Sequence, residues 1–378
     1  MSLGAAVWEQ IRLGRVPDPD LLAGLVDGQR AVLGVEGGRG LRRSVAAAVL
    51  GAGPLDELLG QPGVTDVALN GDGSVWVDRG DGMTRSGLTL PAGEVRELAV
   101  RLATAAGRRL DDTAAYVDGL LPSGVRLHAI LPPLVAQGAH VTLRVPARSG
   151  LRLEDLVAAG SMPPHWAQVL AGLVDQRVSY LVSGGTGAGK TTLLAALLGT
   201  CPRQDRVVVA EDVRELVVDL PHVVHLEGRP PNVEGVGEVT LSTLVRQALR
   251  MRPDRLVVGE VRGAEVRDLL NALNTGHEGG CGTVHANGAA DVVARVEALG
   301  ALAGLSRDAV HAQLASAVEV VVHLRRIGRL RRVEGIGVLA RGPDRVPTVE
   351  MALGRLPSGE ATTGPAWPTL AQRCGLRS

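Results

Sequence analysis

The stretch SYLVSGGTGAGKTTLLAALL, residues 179–198, restricts this chain to few architectures. A short unbroken apolar run, a glycine-rich loop and a run of helix formers follow one another without a gap. That order fits a strand buried on both faces of a parallel sheet whose helix crosses back over it. Within it, GGTGAGKT, Gly184–Thr191, satisfies G-x-x-x-x-G-K-[ST]. The backbone N–H groups of such a loop turn inward around phosphate oxygens, and the following helix presents its positive end to the same anion. Lys190 is the only lysine in 378 residues: of 40 lysines plus arginines, the other 39 are arginine. A chemical demand explains the exception. A compact ammonium reaches the β and γ phosphates from the base of a tight loop, whereas the wide planar fork of arginine has a different reach. The candidate nucleotide site is therefore Gly184, Gly185, Thr186, Gly187, Ala188, Gly189, Lys190, Thr191 and Thr192, with the Thr191 hydroxyl offered to Mg²⁺.

The rest of the chain divides by texture. Residues 1–50 space their apolar side chains at three and four in DPDLLAGLVDGQRAVL and GLRRSVAAAVLGAG, which predicts two amphipathic helices. Residues 51–147 read as a small α+β domain, in which VTDVALNGDGSVWVDRGDG alternates apolar residues around Asn-Gly and Asp-Gly turns. Prolines and glycines make residues 148–163 the expected hinge. Over 164–340, VSYLVSG, DRVVVAED, HVVHLEG, DRLVVGE and EVVVHLRR predict buried parallel strands, with helices in KTTLLAALLGT, TLSTLVRQALRM and AEVRDLLNALNTG. The tail, 341–378, is rich in Pro, Gly and Thr and predicts a final hairpin followed by a mobile segment.

Composition narrows the partners. The formal net charge is +0, so no global field draws the chain to nucleic acid or an anionic membrane. Aromatic residues are 2% of the chain and phenylalanine is absent, which leaves few platforms for base stacking and argues against a nucleic-acid partner. Cys201, Cys281 and Cys374 are an odd number with no CxxC pair, as expected of a reducing compartment. No stretch reaches 18 uninterrupted apolar residues, so work at a membrane would be peripheral.

A phosphate loop that hydrolyses its ligand needs one carboxylate for the magnesium shell and another for the attacking water. Two predicted strands end in acids: DRVVVAED in Glu211 and Asp212, DRLVVGE in Glu260. In a parallel sheet such carboxyl ends open onto the crevice that holds the phosphate loop. The alternative is that acids merely punctuate strand ends.

Residues 249–287, LRMRPDRLVVGEVRGAEVRDLLNALNTGHEGGCGTVHAN, resemble the Walker B and histidine boxes of the type II and type IV secretion and pilus-assembly ATPases. VVVAEDVRELVVDLPHVVHLE resembles the aspartate box of that family, and GPLDELLGQPGVTDVALNGDGSVWVDRG and LLPSGVRLHAILPP resemble its N-terminal domain. GEVRGAE points to the conjugation-type and tight-adherence (Tad) pilus branch, and the resemblance spans roughly residues 50–340. It implies an α/β fold in which a RecA-like P-loop domain follows a smaller N-terminal α+β domain. It makes Glu211 the general base and Glu260 the acid near Mg²⁺, matches the histidine box at Gly276, His277, Gly279, Thr283, His285, Ala286 and Asn287, and sets His285 near the γ-phosphate. Cys281 and Gly282 stand where the family usually has a polar or aliphatic pair.

From the same resemblance Arg126 and Arg144 are the arginines expected to face nucleotide, with Arg250 and Arg252 as second choices, the alternative for each being a surface residue. The basic run LRRIGRLRR, 324–332, reads as a solvated hairpin turn or as a contact for acidic loops of a membrane protein. His277, Cys281 and His285, four apart, also suggest zinc, but their loop is glycine-rich, lacks a nearby fourth ligand and is already explained by the histidine box. The resemblance implies a homo-hexameric ATP hydrolase with ATP and Mg²⁺, cytoplasmic and peripheral at the membrane, driving integral-membrane platform proteins of a pilus or secretion machine. Two other readings stand beside it: a DNA-translocating RecA-like motor, and a nucleotide-binding scaffold that does not turn over.

Overall fold

The computed structural model describes residues 51–145, 150–229, 231, 236–328, 330–342, 344, 346–356 and 358–376. The helices expected over residues 1–50 lie outside the described residues. The chain forms two compact units, Met1–Pro146 and Ala147–Ser378.

In the first unit, helix α1 (Asp56–Gly60) precedes strands β1 (Asp66–Leu69), β2 (Ser74–Asp78) and β3 (Met83–Thr89); helix α2 (Ala92–Ala105) then leads to β4 (Tyr116–Leu120), β5 (Arg126–Ile130) and β6 (His140–Arg144). The strands make one antiparallel sheet in the order β3-β2-β1-β6-β5-β4. The period-two pattern decides its buried face: Val67, Leu69, Val75, Val77, Leu127, Ala129, Val141 and Leu143 all lie inside. Helix α2 covers them with Val95, Leu98, Ala99, Leu102 and Ala103, a stripe at helical spacing.

The second unit runs α3 (Leu153–Ala158), α4 (Pro164–Asp175), β7 (Tyr180–Gly184), α5 (Lys190–Leu198), β8 (Val207–Glu211), β9 (Val223–Glu227), α6 (Leu241–Ala248), β10 (Arg255–Val261), α7 (Glu265–Asn274), β11 (Cys281–Val284), α8 (Val292–Leu302), α9 (Arg307–Ala317), β12 (Val320–Ile327), β13 (Leu330–Arg341), β14 (Pro347–Arg355), β15 (Ala361–Thr363) and α10 (Trp367–Arg373). Its sheet has the order β15-β14-β13-β12-β7-β11-β10-β8-β9. Every pair from β12 through β7, β11, β10 and β8 to β9 is parallel, and β13 to β15 extend it antiparallel. Both faces are buried. Along β8, Val207 and Val209 join one core with α4, α5 and α10, while Val208 and Ala210 join the other with α6 to α9. That two-sided burial is why these strands read as unbroken valine runs rather than alternating ones.

Three expectations change. The supposed hinge is largely packed structure: Leu153, Leu156 and Met162 belong to the core of the second unit, so apolar burial outweighs the Pro and Gly signals. The C-terminal segment is not a mobile tail, because β14 and β15 pair on after β13 and α10 buries Leu370 and Ala371. CGTV, read as part of a loop, is the interior strand β11 between β7 and β10, all four residues buried.

Candidate functional site

The sheet order lines up the expected chemistry. Strands β7, β11, β10 and β8 are consecutive neighbours, and at their carboxyl ends stand the phosphate loop, His285, Glu260 and Glu211 in turn. Register holds them level, with Val284 opposite Ser183 and Val261 opposite Val284. Adjacent strands lie about 4.8 Å apart, so the four groups share one rim of the sheet. Thr283 Oγ1 pins β11 to β10 by donating to Gly259 O at 2.7 Å.

The phosphate loop closes on its own lysine. Gly189, at φ 94°, caps α5 in the left-handed region that only glycine enters freely, and an added Cβ would sit 3.2 Å from Arg331 Cδ. Lys190, 8% exposed, donates to Gly184 O and Gly185 O, both at 3.1 Å. Its Nζ also lies 3.2 Å from His285 Nε2. Burial holds the ammonium below its ordinary pKa, opposed by the charges of Glu260 and Glu215. An anion would offset that desolvation, so the cradle fits a phosphate chain.

His285 joins lysine to carboxylate. Its Nε2 is 2.7 Å from Glu260 Oε1. A single ring nitrogen donates to Glu260 or accepts from Lys190, not both at once, so the contact has two proton arrangements. Burial first, and then the Lys190 charge, depress the imidazole pKa, which keeps the ring neutral at pH 7.

Glu211 sits differently. It is buried, and its Oε1 accepts from the backbone N–H groups of Glu215 and Leu216, each at 3.0 Å. Its Oε2 has no hydrogen-bond partner among the described residues, and the nearest cationic candidate, His225 Nδ1, is 3.8 Å away. A buried carboxylate oxygen left unsatisfied is costly, and it marks a place for a water or ligand. Asp212, next in sequence, is used instead by Arg262 Nη2 at 2.6 Å. Thr191 and Thr192 open α5 beside Lys190 and are partly exposed.

Arg126 and Arg144 belong to the first unit, where they are direct cross-strand partners on β5 and β6. Arg250 and Arg252 precede β10 and so lie at the opposite end of that strand from Glu260, about 20 Å of backbone away. His277 Nδ1 is 3.3 Å from Ala272 O. Burial pushes the Cys281 thiol up to about 12, and it hydrogen-bonds with Tyr180 in the core. Cys281 opens β11 and His285 follows its far end, about 13 Å of extended chain away, so the two do not converge on one point.

Sequence reasoning passed over two features of this rim. Gly259 gives Glu211 its room: a Cβ there would come within 2.5 Å of Glu211 Cγ. The arginine run of the β12–β13 hairpin is not simply solvated, since Arg331 Nε donates to Gly187 O at 3.1 Å. Only the absence of a side chain in GEVRGAE hinted at the first. Nothing local hinted at the second, because the strands involved meet the loop through the sheet.

The fold and rim define the second unit as a RecA-like P-loop domain. The family model for the type II/IV secretion system protein matches residues 49–333, and the chain belongs to that family. A putative conjugal transfer protein of Mycobacterium tuberculosis is 54% identical over 316 residues, covering 81% of this chain and 90% of the relative. The conjugal transfer protein TrbB of Rhizobium radiobacter is 34% identical over 279 residues, covering 72% of this chain and 83% of its own. Among solved structures, the pilus retraction motor PilT with bound ADP superposes with a TM-score of 0.54 at 18% identity, covering 84% of each chain. The ATPase DotB of Legionella pneumophila gives 0.51 at 18% identity, over 79% of this chain and 78% of that one. These two likenesses speak to the fold.

Proposed function

We propose that the chain is an ATP hydrolase that powers a conjugation-type or tight-adherence pilus or secretion machine, working as a homo-hexamer against integral-membrane platform proteins. The observation that carries the enzymatic part is the row of Lys190, His285, Glu260 and Glu211 along one rim, with an unsatisfied Glu211 oxygen at its end. The loop Gly184–Thr192 would hold the phosphates, and Thr191 and Glu260 would hold Mg²⁺. The ion would neutralise charge on the phosphate oxygens.

Lys190 trades its carbonyl partners for phosphate oxygens. With the ammonium so engaged, His285 Nε2–H donates to Glu260, and the ring thereby registers an occupied site. Glu211 is the general base: two backbone N–H groups fix Oε1, leaving Oε2 to take a proton from the attacking water. Arg126 and Arg144 are proposed as cations supplied across a subunit boundary. Among the described residues no helix is long and apolar enough to cross a membrane. The work at the cytoplasmic face is part of the proposal.

The test is Glu211→Gln, measured for ATP binding and for phosphate release. The amide keeps an oxygen to accept the two backbone bonds, so binding should stay within about twofold while release falls by about 10²–10⁴. Undiminished release refutes the base assignment. A ring whose sites draw arginines from neighbouring chains should lose specific activity on dilution through the range in which it dissociates.

A further inference from the structure

Strand β9 is the edge strand beyond β8 and pairs with it in parallel register: Val209 stands opposite His225, and Glu211 opposite Glu227. Side chains alternate along a strand, so Glu211 and His225 share one face, a step apart along the ladder. That face is otherwise apolar. Val207, Val209 and Leu216 are buried in its core and Val223 packs against them, which makes a histidine there the exception.

A histidine in an apolar face is ordinarily a core residue whose buried nitrogens are paired. This one is not satisfied at Nδ1, which is buried and has no hydrogen-bond partner among the described residues. The atom it faces, Glu211 Oε2, is in the same condition, 3.8 Å away. The His225 side chain is 15% exposed and that of Glu211 5%, so bulk water has little access to either. An N–H···O bond spans about 2.7–3.2 Å, and the gap is too long for one. One water about 2.8 Å from each atom closes it, and such a bridge is nearly as favourable as a direct bond.

We propose that His225 is a positioning residue for Glu211: through one water, its Nδ1–H holds Oε2. The inference rests on the reading of Glu211 as the general base. Oε1 is already pinned by the N–H groups of Glu215 and Leu216, each at 3.0 Å. A carboxylate pinned at one oxygen still swings about that corner, and a second anchor stops the swing. In the bridge, Nδ1–H donates to the water and the water donates to Oε2. A carboxylate oxygen has two lone-pair sites, so Oε2 keeps the other for the attacking water. In this role His225 acts through the angle of the carboxylate and need not touch the phosphates.

The test is a double-mutant cycle on the full chain, reading phosphate release at saturating ATP, ADP binding and a thermal melt. The variants are His225→Leu, His225→Asn, Glu211→Gln and His225→Leu combined with Glu211→Gln. His225→Leu should slow release by about tenfold to a hundredfold, the size of a lost hydrogen bond to a charged group, with ADP affinity within about twofold. His225→Asn puts an amide N–H near the position of Nδ1 and should restore most of the rate. On the Glu211→Gln background the leucine substitution should change release by less than about twofold, because a residue that acts through Glu211 has nothing left to act on. Should the leucine variant not fold, His225→Val, whose branched side chain suits a strand, takes its place with the same expectations. Wild-type release by His225→Leu beside an inactive Glu211→Gln overturns the inference and leaves the base assignment standing. An equal fold-loss on both backgrounds also overturns it, because His225 then works independently of Glu211. Undiminished release by Glu211→Gln overturns the base assignment and the inference with it.

Discussion

Gly259→Ala tests whether Glu211 does its work by position. The ideal Cβ would lie 2.5 Å from Glu211 Cγ, 3.0 Å from its Oε1 and 3.2 Å from its Cδ. Carbon atoms settle at about 3.5–4.0 Å, so the Glu211 side chain must retreat by about 1 Å. Cγ is near the root of the side chain, and a rotation of the terminal carboxylate cannot absorb that shift. Retreat lengthens the bonds from Glu215 N and Leu216 N, both now 3.0 Å, which hold the carboxylate in place. A misplacement of about 1 Å costs a reaction about 10²-fold. Overpacking of this kind costs stability by about 1–3 kcal/mol. The expected result is a fall of about 10²-fold in the rate of phosphate release from ATP at saturation. Nucleotide affinity should stay near the wild-type value, because Gly259 is not part of the phosphate loop. The assay pairs single-turnover phosphate release with ADP binding and a thermal melt. A folded variant that turns over at the wild-type rate would show that Glu211 need not be held where the structure puts it.

Two further predictions concern charge. Asp205, buried, accepts from buried Arg255 Nε at 2.8 Å and from Arg177 Nη2 at 2.9 Å. Asp205→Ala strands the Arg255 guanidinium and should cost about 3–5 kcal/mol in urea unfolding, with Arg255→Met on the same background recovering most of it; a loss under about 1 kcal/mol contradicts this. His285 and His323 both have their pKa lowered chiefly by burial, and His323 Nδ1 is 3.0 Å from Ser183 Oγ. The native state therefore binds fewer protons than the unfolded chain, so their contribution is present above about pH 6.5 and is lost as pH falls through the native values. Ring-proton titration by NMR should place both midpoints below about 6.5, and a His323 midpoint above that value removes the burial argument.

How much of this was legible in the sequence follows from the range of each interaction. The phosphate loop was legible because strand, glycines, lysine and helix are contiguous in residues 180–198. Glu211 and Glu260 were legible because each stands at or next to the carboxyl end of a valine-rich strand. Strand β11 was not, since CGTV is four residues long and owes its place to pairing with β7 and β10. A final hairpin was legible in the C-terminal segment, but the helix Trp367–Arg373 after it was not, because it owes its place to burying Leu370 and Ala371 in the tertiary core. Arg331 reaches Gly187 across 144 positions, a separation no local pattern encodes. The role of Gly259 appears only when the neighbouring strand puts Glu211 over it.

The measurement that tests the account most directly is phosphate release from ATP per chain as protein concentration is raised, with Lys190→Ala alongside. The account predicts release whose specific activity climbs with concentration in the wild type and vanishes in the variant at every concentration. Release by Lys190→Ala equal to that of the wild type would contradict it, because the one lysine of the chain would then not be serving the phosphate loop.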